Sequence, residues 1–149
     1  MLSDSDFQKL IELGPLVSID FVIENDKQEV LVGVRNNAPA KGFYFVPGGR
    51  IRKNESFDQA ALRISKTELG AEIGLKDLSP IGFFEQIYNE NFYQKEGLTT
   101  HYVALVYRYP QPWTRPIDLD SQHQSYVFMP KDELARNPQV HENCRAYFE

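Results

Sequence analysis

The 149-residue chain has one cysteine, Cys144, so it holds no internal disulfide framework and no cysteine-rich zinc site. It has no apolar run near the roughly 20 residues that a membrane span requires. Its first residues, Met1 to Asp6, are acidic where a secretion signal is basic. A reduced, cytoplasmic setting is therefore expected. Positive charge is also short: 16 Lys and Arg against 21 Asp and Glu give a net charge of −5. That balance argues against a broad basic surface for nucleic acid or anionic lipid, while leaving room for a local cationic pocket. Internal repeats, low-complexity tracts and long linkers are missing as well. What remains has ordinary proportions, 42% hydrophobic and 25% charged, which excludes wholesale disorder. A chain of this length fits one domain, 1–149, able to bury about 68–70% of its unfolded surface.

Hydrophobic periodicity divides the chain. Phe7, Leu10 and Ile11 share one face of a short helix over 3–13, stopped by Gly14-Pro15. Alternation of Val17, Ile19, Phe21 and Ile23 predicts a strand over 16–24, which a turn at 25–28 joins to a second strand over 29–35 as a hairpin. Phe43 to Val46 is a short apolar run before Pro47-Gly48-Gly49. A helix fits 56–69, capped by Asn54 or Ser56 and closed by Gly70. Strands are predicted over 80–88, 100–109 and 126–129, with a polar loop over 89–98 and a proline-rich loop over 110–122. Asn137-Pro138 reads as a cap with proline at the first helical position, starting a last helix towards Phe148. The pattern implies an α/β fold, a mixed sheet between helices.

The chemistry concentrates in 42–70. Gly49 is followed after five residues by Glu55, then after seven by Arg63, then by Glu68 and Gly70. This resembles the Nudix box, G-x5-E-x7-R-E-U-x-E-E-x-G-U, whose glutamates bind divalent cations on a nucleoside diphosphate. The resemblance implies the Nudix fold, helices on both sides of a mixed sheet. Here the box is depleted, with Ile64 and Thr67 at two of the glutamate positions and Ala71 at the last aliphatic one. Positions 64, 67 and 68 share one helical face, so a full box presents three carboxylates where this one presents Glu68 alone. Two closely spaced divalent ions need several anionic ligands; one carboxylate suits a single Mg²⁺ completed by carbonyls, water and phosphate.

The depleted box and its flanking sequence are similar to the GDP-mannose mannosyl hydrolases, from about Leu13 to Phe148. The similarity rests on 15–21, 42–50, 99–103, Gln122-His123 and 143–148. It implies one Mg²⁺ held by the Gly48 carbonyl, Glu68 and Gln122, with His123 as general base. It also implies a substrate surrounded by Asp20, Arg35, Arg50, Arg63, Tyr88 and Tyr102. The arginines counter phosphate charge and Asp20 binds sugar hydroxyls. Gln86 departs from the pattern: it stands where some members have a leaving-group histidine, and it can donate a hydrogen bond but carry no charge. The implied reaction is hydrolysis of GDP-mannose or GDP-glucose by water attack at sugar C1 with inversion, releasing GDP, in a homodimer.

Two other functions fit the same residues. One is a Nudix pyrophosphatase attacking phosphorus of a nucleotide-sugar, against which the missing glutamates at 64 and 67 speak. The other is a nucleotide-sugar-binding module without turnover, against which Glu68, Gln122 and His123 speak. Several residues also have plain structural readings. Glu55 favours the positive end of its helix. Arg63 can pair with Glu55. His101 and His141 read as surface residues of a strand and a helix. Asp20 can face water on a half-exposed strand.

Overall fold

The structure, a computed structural model, describes residues 1–117 and 125–149. Its elements are α1 (Asp4–Leu13), β1 (Leu16–Val22), β2 (Val30–Val34), β3 (Tyr44–Phe45), β4 (Gly48–Arg50), α2 (Phe57–Leu69), β5 (Ser79–Tyr88), β6 (Thr100–Arg108), β7 (Tyr126–Met129), α3 (Lys131–Arg136) and α4 (Glu142–Arg145). Among the described residues the strands form two sheets, ordered β4-β1-β6-β5 and β3-β2-β7. β1 and β6 run parallel, and the other pairings are antiparallel.

Two-residue periodicity decides which side chains go where. From β1, Ile19 and Phe21 pack with Leu31 of β2 and with Ala60, Ala61, Ile64 and Leu69 of α2. Val22 points the other way, with Val30, Val32, Val106, Leu134, Val140 and Cys144. Both faces of β1 are therefore covered, as in the sheets that helices flank. Position 20 lies on the same face as Val22, so alternation carries Asp20 inward, to 7% exposure, and not out to water.

The expected hairpin between the first two strands is present at its closed end: the Gln28 N–H closes the turn on the Asn25 carbonyl at 3.0 Å, the Asn25 N–H donates to the Glu29 carbonyl at 3.0 Å, Glu24 and Val30 form an antiparallel bridge, and the Leu31 N–H donates to the Ile23 carbonyl at 2.9 Å. It does not extend further along β1, which has β4 on one edge and β6 on the other. β2 pairs with β3 and β7 instead.

The last helix is corrected too. Asn137 does not start it. Its backbone N–H closes α3 on the Glu133 carbonyl at 2.7 Å, and its side chain accepts from the Gln139 N–H at 2.9 Å. α4 begins at Glu142, where His141 Nδ1 accepts from the Asn143 N–H at 3.0 Å. Part of the proline-rich loop is pinned by Trp113, 4% exposed, whose backbone N–H donates to the Glu24 carbonyl at 2.7 Å. No helix among the described residues is long and apolar enough to cross a membrane.

Candidate active site

The site begins with α2. Of the two expected caps, Ser56 serves: its side chain accepts from the Gln59 N–H, and the Gln59 side chain accepts from the Ser56 N–H, a reciprocal capping box. Gly70, at φ 74°, ends the helix in the left-handed region that favours glycine. The buried stripe of α2 includes Ile64, 2% exposed, lying against β4. A Cβ on Gly49 would stand 3.2 Å from the Ile64 side chain, so helix and strand are in near contact there. Position 64 is thus a packing position in this chain, and Thr67 is exposed. Glu68, one turn beyond Ile64, faces a cleft.

That cleft is partly open to solvent. It brings together Asp20, Arg35, Arg50, Gln86, Tyr88 and Tyr102 with Gly48 and Glu68. Register explains the gathering. Asp20 is paired with Gly48 across β1 and β4, and Gln86 with Tyr102 across β5 and β6. Glycine is required at 48, because a Cβ there would collide with the Asp20 carboxylate and lie 2.8 Å from the Ile19 carbonyl oxygen. Gly33 on β2 admits Tyr126, whose ring carbons would stand 2.6 Å from a Cβ at 33. The Tyr126 hydroxyl hydrogen-bonds Glu68.

Arg35 is braced by its own loop: Nε donates to the Pro39 carbonyl at 2.7 Å, and its backbone exchanges bonds with Phe43 and Gly42. Arg50 lies over the Phe7 ring of α1, 5.0 Å from its centroid. Arg63 does not line the cleft. It forks onto Glu55, with Nε to Oε2 at 2.7 Å and a terminal nitrogen to Oε1 at 2.9 Å, and also donates to the Arg50 carbonyl at 2.8 Å. This pairing is the main cause that holds the Glu55 carboxyl down at about 2. Arg63 and Glu55 therefore shape the backbone that carries Arg50.

Burial raises the Asp20 carboxyl to about 6; the Tyr147 hydrogen bond and Arg35 pull it down, and the Glu68 charge adds to the rise. Burial also lifts the Tyr88 phenol to about 12 and raises Tyr102, so both are proton donors at neutral pH. Gln86 has both ends of its amide engaged, Nε2 donating to the Tyr147 hydroxyl at 2.5 Å and Oε1 accepting from the Tyr88 hydroxyl at 3.3 Å.

The donors present fit a magnesium ion. The Glu68 carboxylate and the Gly48 backbone border the same cleft, and both supply hard oxygen. The Asp20 and Glu68 charges repel each other, which a cation in the cleft would relieve. No cluster of three or more His, Cys, Asp or Glu stands ready for a metal among the described residues, in keeping with a box reduced to one carboxylate. The expected ligand Gln122 and the expected base His123 lie outside the described residues.

His141 corrects its surface reading. It is half-buried, 5.1 Å from the Phe43 ring and 5.2 Å from the Tyr88 ring, and burial lowers its pKa. Tyr126 and Tyr147 were not singled out from sequence. The only signal for Tyr147 was its place in the similar segment 143–148, and nothing local pointed to Tyr126.

The NUDIX domain profile matches residues 14–148. A low-salt glycan biosynthesis protein of Haloferax volcanii is 35% identical over 134 residues, 89% of this chain and 82% of that protein. An ADP-ribose pyrophosphatase of Methanocaldococcus jannaschii is 36% identical over 66 residues, 44% of this chain and 38% of that protein. Among solved structures, a MutT protein from Methanosarcina mazei matches with a TM-score of 0.71 at 18% identity, over 91% of this chain and 92% of that one. The NUDIX domain of Shewanella oneidensis NrtR, complexed with ADP ribose, matches at 0.64 and 14% identity, over 99% of this chain and 96% of that one. At such identities these two structures speak for the fold alone.

Proposed function

Because this chain belongs to the NUDIX domain family of hydrolases, we propose that it hydrolyses GDP-mannose or GDP-glucose to GDP and free sugar, as one NUDIX domain over 1–149. One observation carries the reading. Ile64 is packed into the core where the usual box has a glutamate, and Thr67 replaces another, so Glu68 is the box's one carboxylate on that face. Such a site suits one Mg²⁺, and it is poor in the anionic ligands that a cluster of divalent ions at phosphorus needs.

The roles are those that the resemblance implies. Glu68, the Gly48 carbonyl and Gln122 hold the ion, which when bound offsets diphosphate charge and favours GDP as a leaving group. Arg35 and Arg50 supply further positive charge along the cleft. Asp20 accepts from a sugar hydroxyl, and Tyr88 and Tyr102 offer phenolic protons. Arg63 acts through the backbone of Arg50. His123 takes a proton from water as it attacks C1 on the face opposite the leaving group, which inverts the anomer. An unperturbed histidine titrates at about 6.5, near the working range of a base in neutral solution.

Products formed in ¹⁸O-water test the reading: label in the sugar supports attack at carbon. Label in phosphate favours the second reading, a nucleotide-sugar pyrophosphatase, which the similarity to an ADP-ribose pyrophosphatase over 66 residues supports. Binding with no product under saturating Mg²⁺ favours a binding module. His123→Ala is expected to lower kcat by about 10²–10⁴-fold, the usual contribution of a general base, with a much smaller change in substrate affinity.

The resemblance also supports a homodimer, and the acidic N-terminus with a single cysteine supports a cytoplasmic setting. β5 is an edge strand of the four-stranded sheet, with Phe83 at 82% and Ile87 at 62% exposure, apolar surface that a second copy would cover.

A further inference from the structure

We propose that Tyr147 is a positioning residue of the sugar subsite, fixing the Asp20 carboxylate through its hydroxyl and thereby recruiting the C-terminal segment into substrate selection. This rests on the reading above that Asp20 faces the sugar.

Hydrogen-bond direction orders the buried groups around Asp20. A carboxylate at Asp20 can only accept, so the Tyr147 hydroxyl donates its one proton to Oδ2, at 2.5 Å. The Tyr147 oxygen can then only accept from Gln86, which turns the Gln86 amide nitrogen towards it, at 2.5 Å. That orientation presents Gln86 Oε1 to Tyr88, whose hydroxyl donates at 3.3 Å. Proton donation thus runs one way, from Tyr88 through Gln86 and Tyr147 to Asp20.

The link next to Asp20, Tyr147, comes from the last few residues. The middle comes from β5 and the acceptor from β1. Tyr147, Gln86 and Asp20 are 6%, 4% and 7% exposed, so water cannot readily replace a lost partner. The Tyr147 ring is held against Phe84 at 4.9 Å and Phe45 at 6.1 Å between centroids. With Oδ2 so occupied, Oδ1, which lies over Gly48 at the cleft, is the oxygen left for a sugar hydroxyl. Gln86, tied at both ends of its amide, acts here as a connector rather than as a group reaching for the leaving phosphate.

The test is Tyr147→Phe, which keeps the ring and removes the hydroxyl. Dissociation constants for GDP-mannose and for GDP are measured calorimetrically with Mg²⁺ present, throughout in a His123→Ala background that slows turnover, for the chain with Tyr147 and Asp20 intact, for Asp20→Asn, for Tyr147→Phe and for the double variant. Loss of one buried hydrogen bond to a charged group is expected to weaken GDP-mannose binding about tenfold with Asp20 intact. GDP binding is expected to stay within about twofold, and the Asp20→Asn background to show no further loss, as a residue acting through Asp20 requires. Equal losses for GDP and GDP-mannose, the same loss in both backgrounds, or no loss at all would overturn the proposal. So would a chain with Tyr147 and Asp20 intact that binds GDP-mannose no more tightly than GDP, since it would have no sugar subsite. If Tyr147→Phe melts below the assay temperature, Gln86→Met takes its place, with the same selective loss expected. A wild type that binds GDP-mannose but releases no sugar overturns the hydrolytic reading and leaves this comparison standing.

Discussion

At the scale of single residues, the site is assembled from pairs whose partners are far apart in sequence. Asp20 and Tyr147 are 127 positions apart, and Gln86 and Tyr147 are 61 apart. Glu55 and Arg63 are closer and carry a definite pH dependence. Glu55 sits near 2 in the folded protein against an ordinary value of 4.5. A depressed carboxyl contributes stability that is complete above its unfolded pKa and is lost as pH falls through its folded one. The window is therefore about pH 4.5 down to about 2. Arg63→Met is expected to cost about 1–2 kcal/mol at neutral pH, the range of charge-assisted hydrogen bonds with some solvent access. In urea titrations the stability difference from the wild type should shrink across that acid window; a difference that stays constant with pH would show that the ion pair is not its source.

At the scale of elements, α2 both folds itself and sets the chemistry. Its capping box and its left-handed Gly70 are local devices. Ser56→Ala is expected to lower stability by about 1 kcal/mol, visible as a lower Tm, with turnover little changed. Ile64→Glu restores a carboxylate to the box in name only. The side chain there is 2% exposed among Ile19, Leu31 and Ala61, so an ionised glutamate would be buried without a partner. That variant is expected to lose several kcal/mol of stability on denaturant unfolding, without a switch of cleavage to the P–O bond. A folded Ile64→Glu protein that releases GMP would mean that the packing of this helix is not what limits the site to one carboxylate.

At the scale of the whole molecule, the net charge of −5 and an anionic ligand are reconciled by location. Arg35 and Arg50 border the cleft while Arg63 is paired with Glu55 beside it. Other charges are matched at a distance from it, as where Lys131 and Arg108 hold Glu24 at 2.5 and 3.1 Å. Burial would raise Glu24, but these two cations outweigh it and keep the carboxyl below its ordinary range. The exposed apolar edge at Phe83 and Ile87 belongs to this scale as well. If a second copy covers it, Phe83→Glu is expected to convert a dimer to a monomer by light scattering, because a desolvated, unpaired carboxylate would enter the interface. An unchanged mass would move the interface elsewhere.

The amino-acid sequence by itself determined what depends on neighbours in the chain. Alternation placed β1, β-branched and aromatic composition placed β5 and β6, capping chemistry bounded α2, and the spacing from Gly49 to Gly70 identified the family and the loss of carboxylates at 64 and 67. It also named Asp20, Arg35, Arg50, Gln86, Tyr88 and Tyr102, which the fold then brought to one cleft. Tertiary structure decided whatever depends on occupied edges and covered faces. The expected hairpin formed only at its closed end, because β4 and β6 already held the hydrogen-bonding edges further along β1. Asn137 turned the chain instead of starting a helix, because its side chain found the Gln139 N–H. Arg63 left the cleft for Glu55, and Tyr126 and Tyr147 entered the site unannounced. Periodicity records which side of an element is buried. It does not record which distant side chain will be waiting there, and a buried carboxylate such as Asp20 takes its character from that partner.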